Sequence, residues 1–436
     1  MKKYWLPSFV VTVFVFFMMW AVSKISDFKL FSAFDTIGQA LSDTELTDYA
    51  FNELRPDPVV DQRIVLVNFS TLSRGEIAQQ IQVISRQKPK VIGVDALFNC
   101  EGGLYDTLNC PQLLDTLGNM MLRFAIQEAG NVVLGEKLMQ TDSLAKFDTN
   151  EADSLETPDP NFSEFAKLGF VTLPTDATYQ EDVKLVRTIY PQWVVKGKRE
   201  LAFSVRMAMM YDSVTTEQFL ARGNEEEILN FRGNIEVRQL RVSSLKDDET
   251  ATTNFGTMFS VVDADEVLND QIAPDFFKDK IVILGYLSDY LGDSAWEDKF
   301  FTPMNKKIGG RANPDMFGPV VHANAVAMIL NKDYVDELSG WQKIAIAFLI
   351  CYLTVVLFIY VEEKLPIWYD ALSVIIQLVQ LAVLMLVVVY AFAEFNLKLD
   401  LGAAFVATAL VGPCYDILKS LQNEVKSRLT KRKQAV

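Results

Sequence analysis

A 436-residue chain with one histidine, His322, and four cysteines has little material for nucleophilic or metal chemistry. Any His-based triad would have to use His322, which shares a helical face with Val326 and Ile329, the place of a packed helix residue. G-x-G-x-x-G, Walker A, G-x-S-x-G and H-E-x-x-H patterns are absent. Clustered carboxylates could attract Ca²⁺, but no spaced D-x-D-x-D run supports a calcium loop. These residues predict a protein that is not an enzyme, with no cofactor and no metal site.

Ligand binding is the better-supported chemistry. Asn68 follows the apolar run Ile64–Val67, and Asp95 follows Val91–Val94. The loop after Gly285 reads YLSDYLGDSAWEDKFFTP and carries Asp289, Asp293, Asp298 and Thr302, with Gly292 to let the backbone turn tightly. Ligands of open parallel sheets sit outside the carboxyl ends of the strands. The candidate binding residues are therefore Asn68, Asp95, Asp293 and Thr302. A structural use competes: Asp95 capping a turn and Asp293 accepting from backbone amides. Arg74 and Arg232 also flank strand ends, and either one paired with Asp95 or Asp293 would be a structural bridge.

The elements that must position these residues read as α/β. Residues 63–68 form an apolar strand run, and Ile77, Ile81 and Ile84 make a helical stripe over 74–87. Pro89 ends that helix, and Val91–Val94 is the next strand, completing a βαβ unit with parallel strands. Residues 112–128 form a second amphipathic helix through Leu113, Leu117, Met120, Met121 and Phe124, and residues 131–135 a further strand. Residues 141–163 and 243–256 are polar loops. Strands are expected at 169–173, 186–190, 228–231 and 280–285, and helices at 199–211 and 318–330. The fold class is an α/β domain with a mixed, largely parallel sheet, plus four transmembrane α-helices, one N-terminal and three C-terminal.

The spans are read at residues 4–22, 341–361, 367–395 and 402–418, bounding a domain at 23–340 and a basic tail at 419–436. An uncharged stretch of this length crosses a hydrocarbon core of about 30 Å. A cleaved signal peptide competes for the first of them, since Ala21-Val22-Ser23 loosely resembles a cleavage site. Lys2 and Lys3 before the first span, and Lys426, Arg428, Lys431, Arg432 and Lys433 after the last, place both termini in the cytoplasm. The chain carries a net charge of −15, and its acidic excess falls in the domain between the first two spans, so no nucleic-acid partner is expected. Ser373, Gln377 and Gln380 form a polar stripe on the third span, suited either to a protein partner or to the chain's own spans. Cys100 and Cys110 flank a short loop that an oxidising compartment would let close as a disulfide, with two free buried thiols as the alternative. Cys351 and Cys414 lie in spans as packing residues.

Together these segments resemble the CHASE2 family of extracytoplasmic sensor domains. The resemblance is carried by Arg55, IVLVNFSTLSRGEIA at 64–78, PKVIGVDALF at 89–98 and LGFVTLPTDATYQEDVKLVRTIYP at 168–191. It continues through ILNFRG at 228–233, KIVILGY at 280–286, Asp293, DKFFTPMN at 298–305 and FGPVVHANAVAMIL at 317–330. It implies a sensory or regulatory protein of a Gram-negative inner membrane, multi-pass, with its main domain in the periplasm. Family members usually continue into a cytoplasmic cyclase or kinase, for which residues 419–436 offer no room. The expectation is a chain in contact with membrane lipid that passes its signal to a separate protein partner, with a small ligand of unknown identity and a homo-oligomer both compatible. The alternative is a non-sensing structural or scaffold subunit of a larger membrane complex.

Overall fold

The structure is a computed structural model that describes residues 2–26, 46–54, 61–100, 110–141, 144, 152–175, 184–235, 259–291, 298–305 and 314–434. The chain divides into a sheet unit, Pro56–Val335, and a span unit, Met1–Arg55 with Asp336–Val436.

In the sheet unit, β1 (Ile64–Asn68), α1 (Arg74–Arg86) and β2 (Val91–Val94) form the expected βαβ start. Ser73 begins α1 with a capping box: its hydroxyl accepts from Glu76 N–H, and the Glu76 carboxylate accepts from Ser73 N–H. Next come α2 (Thr116–Ala129), β3 (Val132–Met139), β4 (Ser154–Glu156) and β5 (Lys167–Phe170). They are followed by β6 (Gln192–Val195), β7 (Lys198–Leu201), α3 (Phe203–Tyr211) and α4 (Ser213–Leu220). The last elements are β8 (Ser260–Val262), α5 (Ala264–Leu268), β9 (Ile281–Gly285) and α6 (Gly318–Asn331). The main sheet runs β8-β1-β9-β2-β3 with β5 parallel to β3, and β4 is its antiparallel member. The sheet is thus mixed and largely parallel.

Strands covered on both faces should be apolar throughout, and every residue of β1, β2 and β9 is buried. Val65, Val67, Ile92, Val94, Val282 and Leu284 pack with α1, α2 and α5. On the other face, a Cβ on Gly93 would lie 2.3 Å from Met207 Sδ of α3, and one on Gly285 would lie 2.2 Å from Pro319 of α6. Those glycines let both helices close on the sheet.

Three elements differ from the sequence reading. The stretch 141–163, expected as a polar loop, contains β4, paired antiparallel with β3. The segment expected to be helical over 199–211 begins as β7, paired with β6 in a hairpin whose turn, Lys196-Gly197, has φ of 50° and 79°. Consecutive positive φ values are the signature of a tight hairpin turn. The helix over 112–128 exists, but the other face of it is buried. Gly118, Leu122, Ala125 and Ile126 point inward, while Leu117, Met120 and Phe124 are 69%, 50% and 54% exposed.

In the span unit, among the described residues, four helices are long and apolar enough to cross a membrane: span 1 (Lys2–Ser26), span 2 (Gly340–Lys364), span 3 (Tyr369–Phe395) and span 4 (Gly402–Gln434). Val11, Cys351, Val355, Phe358, Val411 and Cys414 share one core, with both cysteines buried as free thiols. The polar stripe on span 3 faces the chain's own helices. Gln380 Nε2 donates to Thr354 Oγ1 of span 2 (2.8 Å), and Gln377 Nε2 to the Thr408 carbonyl of span 4 (2.7 Å). At one end of the bundle Tyr4 donates to Glu363 (2.8 Å), while Tyr415 and Lys419 both contact Glu362. At the other end Lys343 pairs with Asp400 at 3.2 Å.

Candidate functional site

The carboxyl edge of the sheet carries the expected polar residues, but they do not form one cluster. Asn68 ends β1 fully buried, and its amide is a junction. Nδ2 donates to Asp263 Oδ1 (3.0 Å) and the Ser288 carbonyl (3.0 Å), while Oδ1 accepts from the N–H groups of Ser70 (2.9 Å) and Leu287 (3.0 Å). Asp263 in turn begins α5 and accepts from Leu291 N–H at 3.1 Å. This network fixes the loop after β9 against the end of β1.

Thr302 has a similar internal role. Its N–H and Oγ1 donate to the two Asp315 oxygens at 2.9 and 2.6 Å, and Asn305 adds a longer bond of 3.3 Å. Burial pushes the Asp315 carboxyl up to about 7 despite these donors. Asp293 lies outside the described residues. Arg74 donates to Asn119 (2.8 Å) and Arg232 pairs with Asp333 (2.9 Å), so neither arginine bridges to Asp95.

Asp95 is the one described candidate that makes no hydrogen bond to a described residue through its carboxyl. Its N–H donates to the Leu284 carbonyl at 2.8 Å, which fixes it at the point where β2 leaves β9. The side chain lies beside Gly285 and beside Gly318, the first residue of α6. It is 15% exposed, and burial pushes its carboxyl up to about 7. His322, one turn into α6, holds Nε2 4.0 Å from Asp95 Oδ2. The ring is buried edge-on against Phe203, with centroids 5.3 Å apart, and its Nδ1 has no hydrogen-bond partner among the described residues. Burial pushes the imidazole down to about 4, against a smaller opposing effect of the Val171 backbone, so the ring is neutral at pH 7.

Three further buried polar residues of the sheet unit were not foreseen. Glu136 in β3 is 2% exposed with one carboxyl oxygen unpartnered among the described residues, and burial with Glu200 beside it raises its carboxyl to about 7. A glutamate in the apolar run VVLGEKLM was the available signal. Asp315, described above, is the second. The third is Asn324 of α6, whose Oδ1 accepts from the N–H groups of Arg232 (2.7 Å) and Gly233 (3.1 Å), a backbone clamp. Cys100 and Cys110 are joined by a disulfide with Cα atoms 5.7 Å apart. Among the described residues, no three His, Cys, Asp or Glu side chains are grouped to hold a metal ion.

The family model described as CHASE2 domain matches residues 28–359. The chain belongs to the CHASE2 family. The match takes in every main-sheet strand of the sheet unit and runs into span 2, so Asp95, His322 and the Asn68 junction all belong to the CHASE2 domain. Neither a curated protein nor a solved structure matches the chain. A CHASE2 domain with four helices fit to cross a membrane is the arrangement of a membrane sensor.

Proposed function

We propose that the protein is a receptor of the bacterial inner membrane. Its CHASE2 domain faces the periplasm and takes a small molecule or protein partner at the Asp95–His322 corner. The spans pass the change to a separate protein, and the chain acts by binding rather than by catalysis. The observation that carries this reading is Asp95, a largely buried carboxyl at a strand's carboxyl end with no hydrogen bond to a described residue. Span 4 supports the second half. It runs as one helix from Gly402 to Gln434, past its apolar part and into the basic stretch, so a shift at one end is carried to the other.

A scaffold subunit is the second reading. It is favoured by Asn68 and Thr302, whose polar atoms are used within the chain itself. The two readings part in one experiment. Parent and Asp95→Ala chains are purified from native membranes under cross-linking, with folding checked by near-UV circular dichroism. A receptor predicts that the amount of captured partner changes with the substitution. Equal capture by two folded chains would leave the scaffold.

A further inference from the structure

The span unit contains a cavity of about 360 Å³ at the bundle end where span 2 begins and span 3 ends. Its lining changes character with depth. Val388 lies two helical turns inside the end of span 3, and Phe405 lies one turn inside span 4; with Leu399 and Leu401 they form an apolar floor. The rim is charged, with Glu337, Lys398 and Asp400. Lys398 Nζ stands 3.9 Å from Glu337, and Asp400 is held at 3.2 Å by Lys343, which lies outside the lining. Glu337 and Asp400 keep about half of their side-chain surface exposed, at 44% and 57%.

This volume is in the range of small-molecule sites, roughly 300–1,000 Å³. A wholly apolar occupant would strip water from the rim's ion pairs, whose carboxylates are still about half exposed, and a wholly polar one would waste the floor. The lining favours an amphiphile. Its two carboxylates and one ammonium suit a head of both signs whose cation donates hydrogen bonds: an ammonium toward Glu337 and Asp400, and a phosphate toward Lys398. Val388 and Phe405 of the floor lie within spans 3 and 4, while Leu399 and Leu401 share the connecting loop with the charged rim, so the lining straddles the boundary between hydrocarbon and headgroups.

We propose that this cavity binds a phospholipid with a primary-amine head, of the phosphatidylethanolamine type, through its head and the first part of an acyl chain. The inference stands on the span unit alone and does not depend on the Asp95 corner.

The test uses the full-length chain in detergent, with dioleoyl phosphatidylethanolamine, phosphatidylcholine and phosphatidylglycerol as probes. The readouts are retained lipid by native mass spectrometry and the shift in Tm. The amine lipid should be retained about ten-fold more than either of the others. The Glu337→Gln/Asp400→Asn chain should lose that preference, and Leu399→Trp, which fills the floor without touching a charge, should lose retention of the amine lipid. Equal retention of all three lipids overturns the proposal, as does unchanged retention of the amine lipid in both variants.

Discussion

At the scale of single residues, the candidates at the carboxyl edge of the sheet divide into Asn68 and Thr302, which hold the fold, and Asp95, whose side chain makes no hydrogen bond to a described residue. Truncation to Asn68→Ala leaves the buried N–H of Leu287 and the half-buried N–H of Ser70 without their acceptor, at a cost of about 3 kcal/mol. The exposed carboxylate of Asp289, by contrast, accepts among the described residues only from the Tyr286 hydroxyl, so Asp289→Ala should stay within about 0.5 kcal/mol of the parent. Denaturant melts of both variants check the contrast, and equal midpoints would refute it. Asp95, Asp315 and Glu136 give the domain a pH dependence of definite sign. Burial pushes each carboxyl up to about 7 from ordinary values of 3.8, 3.8 and 4.5. The folded chain therefore binds more protons than the unfolded chain between about pH 4 and pH 7, and stability falls as pH rises through that window. His322 has the opposite slope, because its pKa is pushed down from 6.5 to about 4, but its contribution is complete once pH exceeds 6.5. The CHASE2 domain should thus melt higher at about pH 6 than at about pH 8. A flat or rising Tm over that interval would mean these carboxyls are ionised in the folded protein.

At the scale of elements, the parallel core was legible because β1, β2 and β9 are continuous apolar runs, and only a strand covered on both faces needs that pattern. The orientation of α2 was not. Leu117, Met120 and Phe124 form as good a helical stripe as Leu122, Ala125 and Ile126, and periodicity alone does not say which stripe meets the sheet. The β6–β7 hairpin was hidden for a different reason. Lys198 to Leu201 precede α3 with a single residue between, so a helical pattern read backward from Phe203 absorbs the strand. At the site, strand ends pointed to Asn68 and Asp95, but their different roles depend on Asp263 and Ser288, which are far away in sequence. The stripe on span 3 left two uses open, and the structure places both glutamines on neighbouring spans. Gln377→Leu with Gln380→Leu should destabilise the bundle by about 1–2 kcal/mol in total, since single interhelical bonds in membranes are worth about 0.6 kcal/mol and rarely above 1.7. Unfolding in sodium dodecyl sulfate measures this, and an unchanged transition would show that the two bonds contribute nothing net.

At the scale of the whole molecule, charge and helix length together set how the chain threads the bilayer. Span 4 has 33 residues, or about 50 Å of helix at 1.5 Å per residue, against a hydrocarbon core of about 30 Å. Roughly a third of that helix must therefore emerge from the hydrocarbon, and the sequence decides which end. Its first turn is apolar, while its last four turns carry Lys426, Arg428, Lys431, Arg432 and Lys433. Dense positive charge next to a span is retained in the cytoplasm. The same rule applied to Lys2 and Lys3 puts the start of span 1 on that side, and the hydrogen bond from Tyr4 to Glu363 places the start of span 1 beside the end of span 2. Both observations agree with an even number of crossings. A fluorescent reporter that folds only in the cytoplasm, fused after Val436, should therefore be bright, and alkaline phosphatase at the same position should be inactive. Replacing the five basic residues of the last turns by Ser should weaken that bias without altering the CHASE2 domain's own melt. An active phosphatase on the parent chain would require an odd number of crossings and would remove span 4 from the proposed route to a cytoplasmic partner.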